Sequence, residues 1–450
     1  MCRWFKSFGF WFVLLMVLLG SKLALALFVF QHPANVFLPD SFGYEDLAVN
    51  LIQRGRFDVP EEPALGFIRT PGYPAFIASI YWVVGRMPGG VIFIQLILDA
   101  LTCLLVWQIG RQYFSSAIGV LGAFIYATSL NATIGSLYLL SDTLFTSLLV
   151  VALFFLGNYW VKSEKRWCIL AGVFLGLMSL VRPIGLYLAF IWVVFFAIKQ
   201  WKNSVKHWYR DTLVLSLFFI GLVVPWFARN YALTGRVMFS AAEAINLYCC
   251  FAPAALAEDE NISFLEARAN VDAPFRFQSL NKLEPWQFFL AADHAGVIIL
   301  HHPVGFAKAH LKGVFATLFE PVYRQWLQLV GIEYTPSGFL SKLLARDWNG
   351  ALVSLSLSTD WLWLAIPLLN EGYIVAVYLF AVLGVIKIFR RSPSNDALAL
   401  TLLCAITILY LVIVPGPGGG LRFRIPAEPL FALLAAVGLA ETRSLVSRGH

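Results

Sequence analysis

The chain has 450 residues, of which 59% are hydrophobic and only 13% charged, with a formal net charge of +7. Soluble domains carry roughly 45–50% apolar residues, so this composition excludes a water-soluble core and points to a polytopic membrane protein. The positive balance does not indicate nucleic acid. Lys and Arg sit largely in short loops between apolar runs, as the positive-inside rule requires, and no basic-aromatic module is present.

The first apolar run extends from about Phe8 to Phe30. Ala24-Leu25-Ala26 resembles a signal cleavage site, but the run is too long for a signal-peptide h-region and reads as an uncleaved anchor. Arg3 and Lys6 precede it, so the N-terminus is expected in the cytoplasm and the next loop outside. In that loop the stretch 42–54 puts Leu47, Ala48, Leu51 and Ile52 on one helical face, which predicts an interfacial helix. The apolar segment 73–85 spans about 13 residues, roughly 20 Å of helix, against the ~30 Å of a bilayer core.

Further spans are expected at about 90–111, 116–134, 138–160, 167–183, 185–199, 211–229, 371–388, 396–415 and 424–441. Three loops are basic: Lys162, Lys165 and Arg166; Lys199, Lys202, Lys206 and Arg210; Lys387, Arg390 and Arg391. All three belong in the cytoplasm. Counting back from them, 90–111 enters from outside, so 73–85 is a second interfacial or re-entrant helix. The expected fold is all-α, a polytopic membrane protein of about 10 transmembrane helices. It divides into a transmembrane module (1–229) with a first outer loop at 31–89, an extracytoplasmic region (230–370), C-terminal spans (371–441) and a cytoplasmic tail (442–450). Apolar pieces at 286–300, 303–319 and 351–369 suit either interfacial helices or one extra hairpin.

The cysteines carry little chemistry. Cys103, Cys168 and Cys404 read as buried small hydrophobes, and the adjacent Cys249 and Cys250 do not suit an ordinary disulfide. His294, His301, His302 and His310 gather loosely in one outer segment but match no strong metal-ligand spacing. Asn131 and Asn261 head glycosylation sequons. Inside the membrane, Lys22 and Asp99 lie within about one turn of the same depth. That predicts an ion pair joining the first two spans.

The outer face carries the remaining charge. Asp40 follows the first span, with Tyr44, Glu45 and Asp46 behind it and Arg69-Thr70-Pro71 later in the same loop. An ionised carboxylate there can accept a proton from a hydroxyl, although a solvated loop acid is the blander reading. Asp142, after Ser141, is expected at the outer mouth of a helix, where an N-cap role competes with a functional one. Arg182, Arg229, Arg422 and Arg424 all fall at outer ends of spans. Each alone could be a snorkelling anchor. Their recurrence runs against the positive-inside bias and suggests an anionic headgroup held by arginine, with a lipid phosphate as the best fit.

The strings PDSFGYEDLA, RTPGYPAFIA, LLSDTLFT, LMSLVRPIG, PWFARNYALTGR with NLY after it, and RFRIPAEPLFALLAA occur in that order over most of the chain. Together they resemble the bacterial GT-C glycosyltransferases, in particular the protein O-mannosyltransferase and lipid A aminoarabinose transferase-like group. The resemblance implies a polyprenyl-phosphate-linked sugar donor, a lipid, glycan or protein acceptor, and inverting transfer outside the plasma (inner) membrane. It implies Asp40 as the catalytic base, with Tyr44, Arg69, Asp142, Arg182, Arg229 and one or both of Arg422 and Arg424 binding substrate. Many relatives have a second acid directly after the first; here Ser41 stands there. No cofactor is required by the sequence, and divalent-metal assistance stays open. The competing reading is a lipid or small-molecule transporter built around Lys22 and Asp99. A non-catalytic assembly factor would not need acids and arginines on one face.

Overall fold

Small residues set how closely the long helices approach one another. A Cβ on Gly119 of helix Ser116–Ala127 would lie 2.4 Å from the Trp107 carbonyl of helix Pro88–Tyr113. One on Gly172 of Lys165–Val181 would lie 2.4 Å from the Leu215 carbonyl of Trp208–Thr234. Gly384 of Trp361–Arg391 and Gly438 of Glu428–Leu439 face each other's backbones in the same way. Such contacts are the usual means of packing helices where no hydrophobic force acts between them. In this computed structural model the described residues are Met16, Gly20, 22–27, Phe30, 33–203, Val205, 208–275, 280–329, 361–391 and 394–440. Among them all regular structure is helical, as the sequence implies.

Six described helices are long and apolar enough to cross a membrane: Pro88–Tyr113, Asp142–Lys162, Ile184–Lys202, Trp208–Thr234, Leu369–Arg391 and Asn395–Ile413. The chain is an integral membrane protein. The sequence-based figure of about ten spans is higher. Lys165–Val181 and Glu428–Leu439 stand at two further expected positions but are shorter, and most of the first apolar run lies outside the described residues. The expected span 116–134 is a bent pair, Ser116–Ala127 and Leu130–Leu137, meeting at 55°. Ser129 explains the break: its backbone is extended, and its hydroxyl accepts from the Ala132 amide and caps the second helix. Asn131 of the sequon is buried in that second helix.

Lys22 and Asp99 form the expected ion pair, Nζ to Oδ2 at 2.7 Å, with side chains 6% and 2% exposed. The Tyr126 hydroxyl donates to the other carboxylate oxygen at 2.7 Å. The segment after the first apolar run holds two helices as expected, Pro39–Arg54 and Gly72–Val84, and a short turn Leu65–Ile68 between them. Leu47 and Ala48 are buried, but Ile52 stays 41% exposed because the buried face turns toward Tyr44 and Glu45 instead. The Glu45 carboxylate locks the two helices, accepting from the Tyr81 hydroxyl at 2.9 Å and from Arg86 at 2.9 and 3.1 Å.

Beyond Thr234 come short helices, then Pro285–His301 and Pro303–Phe319, which match two of the three expected apolar pieces. The third, 351–369, lies mostly outside the described residues. A separate small core of Tyr248, Ala252, Leu256, Ala267, Val271, Ala291 and Ala295 holds this region together.

Candidate active site

Both candidate acids open a helix. Asp40 lies in the first turn of Pro39–Arg54 and Asp142 is the first residue of Asp142–Lys162. The free amides and dipole at a helix start favour a negative charge there. Two of the arginines sit where dipoles favour cations, as C-caps: Arg69 ends Leu65–Ile68 and Arg182 ends Lys165–Val181. The turn after Arg69 lies close against the end of the second helix, because a Cβ on Gly72 would be 2.7 Å from the Leu180 carbonyl. Arg422 belongs to the one-turn helix Leu421–Arg424, whose Leu421 amide donates to Glu320 Oε2 at 2.6 Å. That bond ties the glycine-rich stretch before it to the end of Pro303–Phe319.

These five side chains form one chain of alternating charge. Arg69 donates to Asp40 Oδ1 at 2.7 Å. Arg422 donates through Nη1 to Asp40 Oδ2 and through Nε to Asp142 Oδ2, the latter at 3.2 Å. Arg182 donates to Asp142 Oδ1. Three guanidiniums against two carboxylates leave the cluster positive. Exposure is graded: the Asp142 side chain is fully buried, Arg182 is 10% exposed, Arg69 19%, Arg422 29% and Asp40 35%. The cluster is therefore open at Asp40 and closed at Asp142.

Tyr44 stands one turn after Asp40 on the same helical face. The Arg69 guanidinium lies over its ring, 4.7 Å from the centroid, and its hydroxyl meets Ser141 Oγ at 3.3 Å. Burial pushes the Asp40 carboxyl up, but the charges of Arg69 and Arg422 and their hydrogen bonds outweigh it, holding Asp40 well below the usual carboxylate range. Burial pulls the Arg422 guanidinium down, and the charges of Asp142 and Asp40 more than offset it, so its proton is held more firmly than usual.

Two expected substrate-binding residues stand apart from this chain. Arg229 donates to the carbonyls of Gly66 at 2.7 Å and Phe57 at 3.0 Å, and to Asn230 Oδ1. Arg424 is fully buried, donates to the Leu318 carbonyl and lies 3.4 Å from the Glu428 carboxylate. The Arg229 guanidinium is committed to the protein's own acceptors, whereas Arg424 Nε and Nη2 are buried with no hydrogen-bond partner among the described residues. Asp46 is exposed, and its buried neighbour Glu45 makes the bonds that set the helix. The sequence reading missed Glu45, Ser141 and Glu320. The only sign of Glu45's role was Arg86, 41 residues later, an exposed-loop cation of no evident purpose.

Among the described residues no three His, Cys, Asp or Glu side chains gather as metal ligands would. His302 pairs with Asp259 at 2.8 Å, His310 meets the Ile413 carbonyl at 2.9 Å, and His301 meets the carbonyl of Val297. A divalent metal does not suit Asp40 and Asp142, since each carboxylate already faces two guanidiniums that would repel a cation.

Residues 68–227 match the family model described as dolichyl-phosphate-mannose-protein mannosyltransferase. No curated protein matches the sequence. Among solved structures, the chain is similar to the archaeal oligosaccharyltransferase AglB from Archaeoglobus fulgidus, in complex with an inhibitory peptide and a dolichol-phosphate. Identity is 13% and the TM-score 0.50, over 96% of this chain and 50% of that one. Similarity to ArnT from Cupriavidus metallidurans in the apo state gives 13% identity and a TM-score of 0.41, over 96% of this chain and 78% of that one. The chain thus spans half the length of the archaeal structure it matches. The chain therefore has the fold of that archaeal structure, and its residues 68–227 match the mannosyltransferase family model.

Proposed function

We propose that this protein transfers a sugar from a polyprenyl-phosphate-linked donor to an acceptor hydroxyl on the extracytoplasmic side of the membrane. The observation that carries the reading is Arg422, which bridges Asp40 and Asp142 while Asp40 remains open to the surroundings. Asp40 takes the proton of the acceptor hydroxyl. The hydroxyl oxygen bonds to the anomeric carbon as the bond from that carbon to the phosphate oxygen breaks. The electron pair leaves with the phosphate, and one in-line displacement inverts the anomeric centre.

Arg422 and Arg69 are placed to hold that phosphate, since guanidinium forks match phosphate oxygens and stabilise charge that grows on a leaving group. Asp40 is a weak base while both arginines hold it. An arriving phosphate competes for the same donors. Each guanidinium drawn to the phosphate lifts Asp40 toward the range in which it accepts a proton. Asp142 and Arg182 keep Arg422 in place throughout. Tyr44 supports Arg69 through its ring face. Recognition of the acceptor falls to the 230–370 region.

The mannosyltransferase family segment and the fold shared with AglB, whose structure holds a dolichol-phosphate, support a lipid-linked donor. The transporter alternative rested on Lys22 and Asp99, and those two neutralise each other with Tyr126 completing the set. The test is to incubate purified protein with polyprenyl-phosphate sugars and envelope acceptors. Release of free polyprenyl phosphate together with a glycosylated hydroxyl is expected. Movement of lipid between vesicle leaflets with no transfer to any acceptor would favour transport instead.

A further inference from the structure

Arg229 is a charged side chain that meets no carboxylate at ion-pair distance among the described residues. Besides the neighbouring Asn230 Oδ1, its donors go to two backbone carbonyls, Phe57 and Gly66, on opposite arms of the loop between the helices Pro39–Arg54 and Gly72–Val84. Rings surround it on several sides: Trp226 at 4.7 Å, Phe67 at 5.0 Å and Phe57 at 5.7 Å. Gly66 makes the closure tight, since a Cβ there would stand 2.9 Å from the Phe57 carbonyl and 3.6 Å from Arg229 Nη2. The next residues are fastened to the same helix end. The Ala241 amide donates to the Phe67 carbonyl at 2.9 Å and Ser240 Oγ to the Ile68 carbonyl at 2.7 Å. Asn230 in turn holds the carbonyls of Met238 and Phe239, each at 3.1 Å. Arg69 is the residue immediately after this fastened stretch, and it reaches Asp40 from there.

We propose that Arg229 is a positioning residue: by stapling the Phe57 and Gly66 backbones to the end of helix Trp208–Thr234 it sets the place from which Arg69 grips Asp40. A planar fork is needed, because two carbonyls on different arms must be met at once. A lysine offers one point charge and no such fork. The inference rests on the role proposed for Asp40 and Arg69, and it goes further in making a residue outside the charged chain govern it. It also separates Arg229 from direct contact with the donor.

The test reads the Asp40 carboxyl itself. A water-soluble carbodiimide labels protonated carboxyls, and mass spectrometry of the Asp40 peptide at a series of pH values reports the hold of Arg69 without any transfer. Arg69→Met should raise the pH at which labelling falls off. Arg229→Met should raise it in the same direction, and Arg229→Lys should not restore it. Gly66→Ala, which pushes the staple apart without removing charge, should do likewise and covers the case in which Arg229→Met fails to fold. In transfer assays Arg229→Met is expected to lower kcat about tenfold to a hundredfold, the scale of a small misplacement of a reacting group. Adding it to Arg69→Met should cost less than about twofold more, since coupled residues are not additive. An unmoved Asp40 labelling curve in both Arg229→Met and Gly66→Ala, or full additivity in the double variant, overturns the inference. Absence of transfer by the wild-type protein counts against the proposed function, while the labelling curve still decides the role of Arg229.

Discussion

Arg422 reaches Asp40 across 382 residues of sequence, joining the helix Pro39–Arg54 to the turn that precedes the last described helix. The same guanidinium reaches Asp142. The two ends of the fold therefore meet at one side chain, and disturbing that side chain should be felt in substrate binding and in the behaviour of both acids.

Arg422→Lys should be a poor substitute. Lysine cannot fork onto two carboxylates and a phosphate from one position. A loss of about 100-fold or more in kcat is expected, the range for removing a main donor to a developing negative charge. Steady-state kinetics with a polyprenyl-phosphate sugar would check this, and near-normal turnover would argue against Arg422 as the phosphate ligand.

Asp142→Ala should destabilise the protein far more than Asp40→Ala. Asp142 is fully buried between Arg182 and Arg422, so its removal strands buried positive charge, at a cost of about 3–5 kcal/mol. Asp40 is partly open, and water can replace it. Thermal unfolding of both variants in one detergent gives the comparison.

Lys22→Met and Asp99→Leu should each destabilise by about 3–5 kcal/mol, whereas the double substitution should recover much of the loss. A buried ion pair is expensive to break on one side and cheap to replace on both. The leftover Tyr126 hydroxyl, which donates to Asp99, limits the recovery. Additive losses in the double variant would mean that the two residues act separately.

Asp40 also makes a prediction about acid. Its pKa is held down in the folded protein, so the stability it contributes is complete above the unfolded value near pH 4 and is lost as the pH falls through the folded one. Arg69→Met narrows that gap. The difference in melting temperature between wild type and Arg69→Met should be largest above about pH 4 and shrink as acid is added below it. A difference that stays constant through the acid range would show that Arg69 stabilises the fold by packing alone.

Much of this architecture is legible from the sequence. Charge counting makes 73–85 a non-spanning helix, and the helix found there, Gly72–Val84, has only 13 residues. Lys22 and Asp99 are matched by rise per residue alone. The arginines are a different matter. Arg182, Arg229, Arg422 and Arg424 all end or precede spans and look alike in sequence. What separates them is which acceptor each one meets, and the acceptors of Arg229 and Arg424 are backbone carbonyls supplied by remote segments. Carbonyl positions are a property of the fold and leave no mark in residue identity. The break near Ser129 was hidden for a related reason: the stretch is apolar on both sides, and the cap is a single hydroxyl.

The proposed reaction turns on Asp40 as the base. The most direct measurement is sugar transfer by Asp40→Asn alongside binding of polyprenyl phosphate to the same preparation. Asparagine keeps the shape but cannot take the acceptor proton. Lipid phosphate should still bind while transfer falls by about 10²–10⁴-fold. Transfer at the wild-type rate by a variant that binds the carrier normally would contradict it.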